Sequence, residues 1–296
     1  MITIVGAGSS LAGALIPLLI DETDEPLHLI SGRALPFEDE KIQTSIIDVL
    51  DKNALKTSIM EAMPNTIINC AAMTSVDRCE TERNMAWSVN VTLVENLTRM
   101  ARIVDARIVQ VSTDYVFDGL KGPYAEGAIA NPINYYGKSK LAGEIVCLSG
   151  SNAAAVVRTN VLYGTSKERP DFVRWVLDAL DAGTPVRVVN DQYSNPTYIE
   201  DLADAISRIV MRKRSGLFHV GGADYVSRFD FAVKIAEFFK GDVSLIRAVT
   251  TAELGQAARR PLRGGLVPLK TETDLKMKMR GIESGLSSVR HAMLSK

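Results

Sequence analysis

Cysteine is scarce in this chain. Cys70, Cys79 and Cys147 are three in 296 residues, and none stands in a CxxC pair. An odd, scattered set builds neither a disulfide framework nor a zinc cluster, and it fits a reducing compartment. Histidine is as rare: His28, His219 and His291 lie far apart in sequence, so no metal site built from them is expected. An excess of one charge is also lacking. Lys and Arg number 34 against 35 Asp and Glu, a net charge of -1, so no broad field draws the chain to nucleic acid or to an anionic membrane. Positive charge that meets an anionic ligand must therefore be local. Long apolar runs are missing: residues 15–20 are too few to span a bilayer. The opening stretch Met1-Ile2-Thr3-Ile4-Val5 has no basic region before it and no signal-type cleavage site after it, so the cytoplasm is the expected location.

What is present is an alternation of short β-branched runs with longer helical patterns. Strands are expected at Ile2–Val5, 27–30, Thr66–Asn69, 107–111, 154–157 and Val186–Val189. Helices are expected at 11–20 (with Pro17 bending it or near its first turns), 53–63, 85–104, 134–148 and 200–211. Such alternation implies crossover connections and a parallel sheet with helices on both faces, and continuous apolar strands fit burial on both sides. Past Arg212 the pattern changes to a strand at 217–220, a helix at Arg228–Phe239, a strand at 243–246 and a Gly/Arg/Pro-rich loop at 257–265. The expected fold is α/β: a Rossmann-type doubly wound sheet from residues 1–163 and 186–212, with a smaller α/β substrate lobe from 164–185 and 213–296.

Gly6-Ala7-Gly8-Ser9-Ser10-Leu11-Ala12-Gly13 follows the first strand and opens a helix. Glycines there permit a tight turn and close approach of phosphate, and the helix N-terminus offers free N–H groups with partial positive charge. A plain strand-to-helix turn is the alternative; placement after the first strand favours a dinucleotide, with Gly6, Ser9, Ser10 and Leu11 beside it. After the second strand comes Ser31-Gly32-Arg33, with no acidic residue to take a ribose 2′-hydroxyl. A guanidinium and a hydroxyl suit a 2′-phosphate, so NADPH is favoured over NADH. The alternative for Arg33 is a solvated loop cation.

Tyr136 and Lys140 stand four apart, on one face of a helix. An ammonium beside a phenol stabilises the phenolate and lets the hydroxyl exchange a proton near neutrality. Tyr163 and Lys167 share the spacing but follow a strand and a glycine, so they read as a coincidence in a loop. Only the first pair has Ser112-Thr113-Asp114 upstream at a strand end, where a hydroxyl can bind the oxygen that Tyr136 would protonate.

Together these residues carry a resemblance to the dTDP-4-dehydrorhamnose reductase family of the extended short-chain dehydrogenases. Asn69-Cys70-Ala71-Ala72-Met73-Thr74-Ser75-Val76-Asp77 resembles its NAAxTxVD stretch, and Ser112-Thr113-Asp114-Tyr115-Val116-Phe117-Asp118-Gly119 its STDYVFDG signature. Asn131-Pro132 with Tyr136-Gly137-Lys138-Ser139-Lys140-Leu141-Ala142-Gly143-Glu144 is similar to its NP…YGKSKLAGE helix. Asp191-Gln192, Pro196-Thr197 and Asp201-Leu202-Ala203 resemble DQxGxPT…DLA, and Arg260-Pro261 a late RP motif. The chain departs from the pattern at Ser9 and Ala12 in the glycine loop, at Ser194, at Gly264 where a serine is expected, and at Val161 where a tryptophan-type residue is expected.

The resemblance implies reduction of the 4-keto group of a nucleotide-linked 4-keto-6-deoxy sugar. It implies Thr113, Tyr136 and Lys140 as the catalytic set, with Asp48, Ala71 and Ala72 lining the cofactor. Thr74, Val76, Tyr115, Val161 and Arg260 would lie near the sugar, and Asn90 would support the site from a neighbouring helix. The partner is a small molecule rather than nucleic acid or membrane, and a homodimer is compatible with the sequence. A sugar-nucleotide epimerase or dehydratase that recycles its NAD stays open, although Asp114 is followed by Tyr115 with no Glu. So does a regulatory subunit, since one relative of the family binds an adenosyltransferase.

Overall fold

In a computed structural model, residues 1–164 and 171–294 are described; Lys167 lies outside the described residues. A seven-stranded sheet runs in the order Gly216–Val220, Ala154–Thr159, Arg107–Thr113, Thr66–Asn69, Ile2–Val5, Leu27–Ser31, Ile42–Ile46. Every pairing from Arg107–Thr113 across to Ile42–Ile46 is parallel. The fold class matches the sequence expectation. Ile2–Val5, Leu27–Ser31 and Thr66–Asn69 are buried along their whole lengths, as strands covered on both faces must be. Val5, Ile30, Ile67, Ile108 and Val156 pack with Leu97 of the helix Leu93–Ile103. Each such side chain contributes roughly 1.5–3 kcal/mol by leaving water.

The chain divides into two compact units: Met1–Thr113, Tyr135–Arg158 and Ala203–Phe218 form one, and Asp114–Asn134, Thr159–Leu202 and His219–Lys296 the other. These boundaries differ from the expected 1–163 with 186–212 and 164–185 with 213–296. The reason is backbone bonding. Gly122 N donates to Arg263 O at 3.1 Å, Tyr124 N to Gly265 O at 3.0 Å, and Asn190 N to Val249 O at 2.9 Å, so these earlier segments are tied to the late chain. Val186–Val189 is a strand, but it pairs in parallel with Ile246–Val249 and not with the large sheet. The strand expected at 243–246 starts at Ile246, because Asp242 caps a short helical turn at Val243–Leu245.

The second unit also contains the two-residue strands Tyr193–Ser194 with Val226–Ser227 and Leu162–Tyr163 with Thr197–Tyr198. Its apolar core joins Tyr163 of the strand Leu162–Tyr163 to Val176, Phe231, Ile235 and Leu286 from helices Phe172–Asp181, Arg228–Phe239 and Ile282–Leu294. Among the elements not expected from the sequence are the edge strand Ile42–Ile46 and the helices Phe172–Asp181, Leu269–Leu275 and Ile282–Leu294. Gln43 and Thr44 of that strand are exposed, so it lacks the apolar run that marks its neighbours.

Candidate active site

The strand order reverses between Ile2–Val5 and Thr66–Asn69, and in an open parallel sheet such a switch point opens a crevice beyond the carboxyl ends of the strands. Two loops leave those ends. The first is Gly6 to Ser9. Gly6 has φ +75°, and a Cβ on it would come within 2.6 Å of Ala71 N, so only glycine serves there. Ser9 caps the helix Ser10–Glu22, its hydroxyl accepting from Ala12 N at 3.2 Å. Ser10 opens the helix, and the Leu11 side chain is buried. A Cβ on Gly8 would lie 3.3 Å from the Ser31 hydroxyl and 3.5 Å from Arg33 Nε, which places both polar groups beside the glycine turn. Asp48 is exposed just past the strand Ile42–Ile46, its carboxylate accepting from Leu50 N at 2.9 Å.

The second loop carries Ala71, Ala72, Met73 and Thr74. Asn69 accepts from Ala71 N at 3.1 Å. Asn90 clasps Met73 at both ends, accepting from its N at 2.9 Å and donating to its O at 3.2 Å, and also donates to Ser139 Oγ at 2.9 Å. Asn90 sits in a π-helical turn, Ser88–Thr92, inserted in a longer helix; such wide turns often occur at functional sites. It thus joins the loop bearing exposed Thr74 and half-buried Val76 to the helix Tyr135–Gly150.

That helix holds Tyr136 and Lys140, both buried. Its first amide, Tyr135 N, donates to the Glu80 carboxylate at 2.7 Å, and Ser139 Oγ donates to Tyr136 O at 2.8 Å. Lys140 Nζ donates to Val111 O at 2.7 Å. Val111 stands two residues before Thr113, on the same face of the strand Arg107–Thr113. Burial pushes the Lys140 ammonium down to about 8, against the pull of the Glu144 carboxylate. Glu144 is itself paired, at 2.6 Å, with Arg158 in the interior. Burial pushes the nearby Cys70 thiol up to about 12, so it stays neutral. Gly143 lets the helices close: a Cβ there would come within 2.3 Å of Asn90 O.

The remaining candidates belong to the second unit. Tyr115 is half-buried in the turn Asp114–Val116. Val161 has φ +41°, a strained conformation for a β-branched residue, held while its carbonyl accepts from Thr197 N at 3.1 Å. Half-buried Arg260 donates to Ala258 O at 3.1 Å. Asp114 Oδ2 accepts from Gly265 N at 3.0 Å and from Asn160 Nδ2 at 3.2 Å. A Cβ on Gly264 would lie 2.8 Å from that oxygen, which accounts for glycine where the motif leads one to expect serine. Arg228 was missed from the sequence. It hydrogen-bonds Tyr115, lies 5.4 Å above the Phe172 ring, and has Arg260 nearby; burial lowers its pKa. No motif marks it, only its place as first residue of a helix capped by Ser227.

Among the described residues no helix is long and apolar enough to cross a membrane. Comparison with known proteins matches residues 1–294 to the family described as RmlD substrate binding domain. The chain is 34% identical over 299 residues, 97% of each chain, to dTDP-4-dehydrorhamnose reductase of Aggregatibacter actinomycetemcomitans. It is 33% identical over 220 residues, 72% of this chain and 66% of the other, to methionine adenosyltransferase 2 subunit beta of Xenopus laevis. Among solved structures it resembles dTDP-4-dehydrorhamnose reductase of Bacillus anthracis in complex with NADP, with TM-score 0.85, 29% identity and coverage of 100% and 99%. A family match over nearly the whole chain, together with 34% identity across 97% of it, places this protein in the RmlD substrate binding domain family.

Proposed function

We propose that this protein is a nicotinamide-dependent reductase of the 4-keto group of a nucleotide-linked 4-keto-6-deoxy sugar, with NADPH as its preferred reductant. The observation that carries the reading is the buried Tyr136–Lys140 pair, with the ammonium anchored at 2.7 Å to the strand that ends at Thr113. The relatives named dTDP-4-dehydrorhamnose reductase support the substrate class.

The first unit fits a dinucleotide. The Gly6 turn admits no Cβ, the Ser9-capped helix supplies N–H groups for a diphosphate, and Arg33 with Ser31 beside Gly8 suits a 2′-phosphate. Gly6, Ser9, Ser10, Leu11, Arg33, Asp48, Ala71, Ala72, Tyr136 and Lys140 would hold it. When bound, the nicotinamide supplies a hydride to the sugar carbonyl carbon. Tyr136 gives its hydroxyl proton to the carbonyl oxygen. Lys140, charged below about 8, stabilises the phenolate left behind. Thr113 orients the same oxygen by a hydrogen bond. Asn90 keeps the Tyr136 helix and the Thr74 loop in register. Thr74, Val76, Tyr115, Val161 and Arg260 are assigned to substrate contact. The protein's own contribution is alignment and charge placement. A cytoplasmic location and a homodimer complete the reading.

The test is a panel of nucleotide-linked 4-keto sugars with NADPH and NADH, followed at the nicotinamide absorbance. Stoichiometric consumption is expected. An epimerase or dehydratase would recycle its NAD instead, and a regulatory subunit would consume none. Tyr136→Phe should lower turnover about 10²–10⁴-fold while cofactor still binds; near-normal turnover in that variant refutes the assignment.

A further inference from the structure

Gln110 is 2% exposed, an amide buried within the strand Arg107–Thr113. It lies directly across from Asn69 in the parallel ladder. Asn69 Nδ2 donates to Gln110 Oε1 at 2.8 Å, and Gln110 Nε2 donates to Val111 O at 2.8 Å. That carbonyl is the one that accepts from Lys140 Nζ at 2.7 Å. At its other end Asn69 accepts from Ala71 N, and Ala71 is the residue pressed against Gly6. An unbroken chain of contacts therefore runs from the glycine turn through Ala71, Asn69 and Gln110 to the carbonyl that anchors the lysine.

We propose that Gln110 is a positioning residue: by sharing the Val111 carbonyl it fixes the place of the Lys140 ammonium and ties it to the Ala71 loop. The proposal rests on the reductase reading for its importance to turnover, while the geometry is given by this chain's own hydrogen bonds. A carbonyl oxygen offers two lone pairs. With Gln110 on one and Lys140 on the other, the ammonium has a single fixed acceptor. Buried polar networks of this kind are stable only when each member is satisfied, so deleting one amide loosens the rest.

Two variants separate positioning from mere core filling. Gln110→Leu removes both hydrogen bonds. Gln110→Glu keeps the shape; its neutral carboxyl can accept from Asn69 and donate to Val111 O, but its ionised form cannot donate. The first readout is an NMR titration of Lys140 in the cofactor-free protein with labelled lysine, the signal assigned by Lys140→Arg. The wild type should titrate near about 8. In Gln110→Leu the carbonyl is released to the ammonium and the titration should rise by about half a unit or more, and further in Gln110→Glu, where an ionised neighbour favours the charge. The second readout is turnover. Gln110→Leu should lose about tenfold at every pH, the worth of one well-placed hydrogen bond. Gln110→Glu should stay close to wild type in acid and fall as its carboxyl ionises. A Lys140 titration unmoved in both variants overturns the proposal, whatever the turnover. If Gln110→Leu does not fold, Gln110→Met, unbranched and without an amide, takes its place in the titration, since a shift in Gln110→Glu alone follows from charge. If the wild type reduces no keto sugar, the reductase reading fails, and the titration still judges Gln110.

Discussion

The sheet unit and the second unit solve the same problem, a stable scaffold, with different materials. In the sheet unit Ile4, Ile30 and Ile67 are fully buried on parallel strands, and packing sets their place. In the second unit the strands at Leu162–Tyr163, Tyr193–Ser194 and Thr197–Tyr198 are two residues long and cannot hold themselves. Beside the apolar core around Tyr163 and Tyr198, a buried amide ties them together. Asn195 Nδ2 donates to Gly222 O and Leu266 O, each at 2.9 Å, while Oδ1 accepts from Leu266 N and Asn160 Nδ2, also at 2.9 Å. Apolar packing tolerates small changes in shape, whereas a polar hub fails whenever one partner is lost.

Three changes would break or sharpen that contrast. The largest effect is expected at the exception within the sheet unit, its buried ion pair. Glu144→Gln removes the carboxylate paired with the Arg158 guanidinium, 6% exposed, and should cost about 3–5 kcal/mol in chemical denaturation. A loss under about 1 kcal/mol would mean that packing carries even this site. Next comes the hub. Asn195→Leu should cost about 2–4 kcal/mol, since it strands buried backbone groups at Gly222 and Leu266. Hydrogen exchange should quicken at the Leu266 amide while amides of Ile2–Val5 keep their protection; uniform loss would show that the two units unfold as one.

The smallest effect has the opposite sign. Burial holds Lys140 at about 8, against 10.5 for a free lysine. Between those values the unfolded chain binds more protons than the folded one, so stability rises with pH across that window. The contribution is complete above 10.5 and is lost as pH falls through about 8. Lys140→Met should therefore stabilise the protein at neutral pH, by about 1–3 kcal/mol, and flatten the pH dependence, while abolishing turnover. Melting curves from pH 7 to about 10 would decide it. An unstabilised variant would show that the Val111 hydrogen bond offsets the cost of burying the charge.

The same contrast explains what could be read from the sequence. Strands buried on both faces announce themselves as apolar runs, and Tyr136 with Lys140 is visible because a helix turns spacing into proximity. The helix Ile282–Leu294 is less visible. It carries Ser284, Gly285, Ser287 and Ser288, poor helix formers, and takes its place by packing Gly285 against Tyr163, whose hydroxyl would lie 2.0 Å from an added Cβ. Val186–Val189 reads as a sheet strand because its residues are right; only its pairing with Ile246–Val249 is not local. Gln110 and Arg228 were out of reach for a similar reason. Each acts through a partner distant in sequence, and no periodicity records such a partner.

The π-helical turn at Ser88–Thr92 has one more consequence. A wide turn is an insertion frozen into a helix, and it sets the phase of everything on either side. Removing a single residue there would rotate one flank by about 100° relative to the other. Asn90 would swing off Met73 and Ser139, and its carbonyl would no longer meet the gap left by Gly143. In this stretch the count of residues matters as much as their identity: swapping a side chain disturbs one contact, whereas a deletion puts the whole helix out of step.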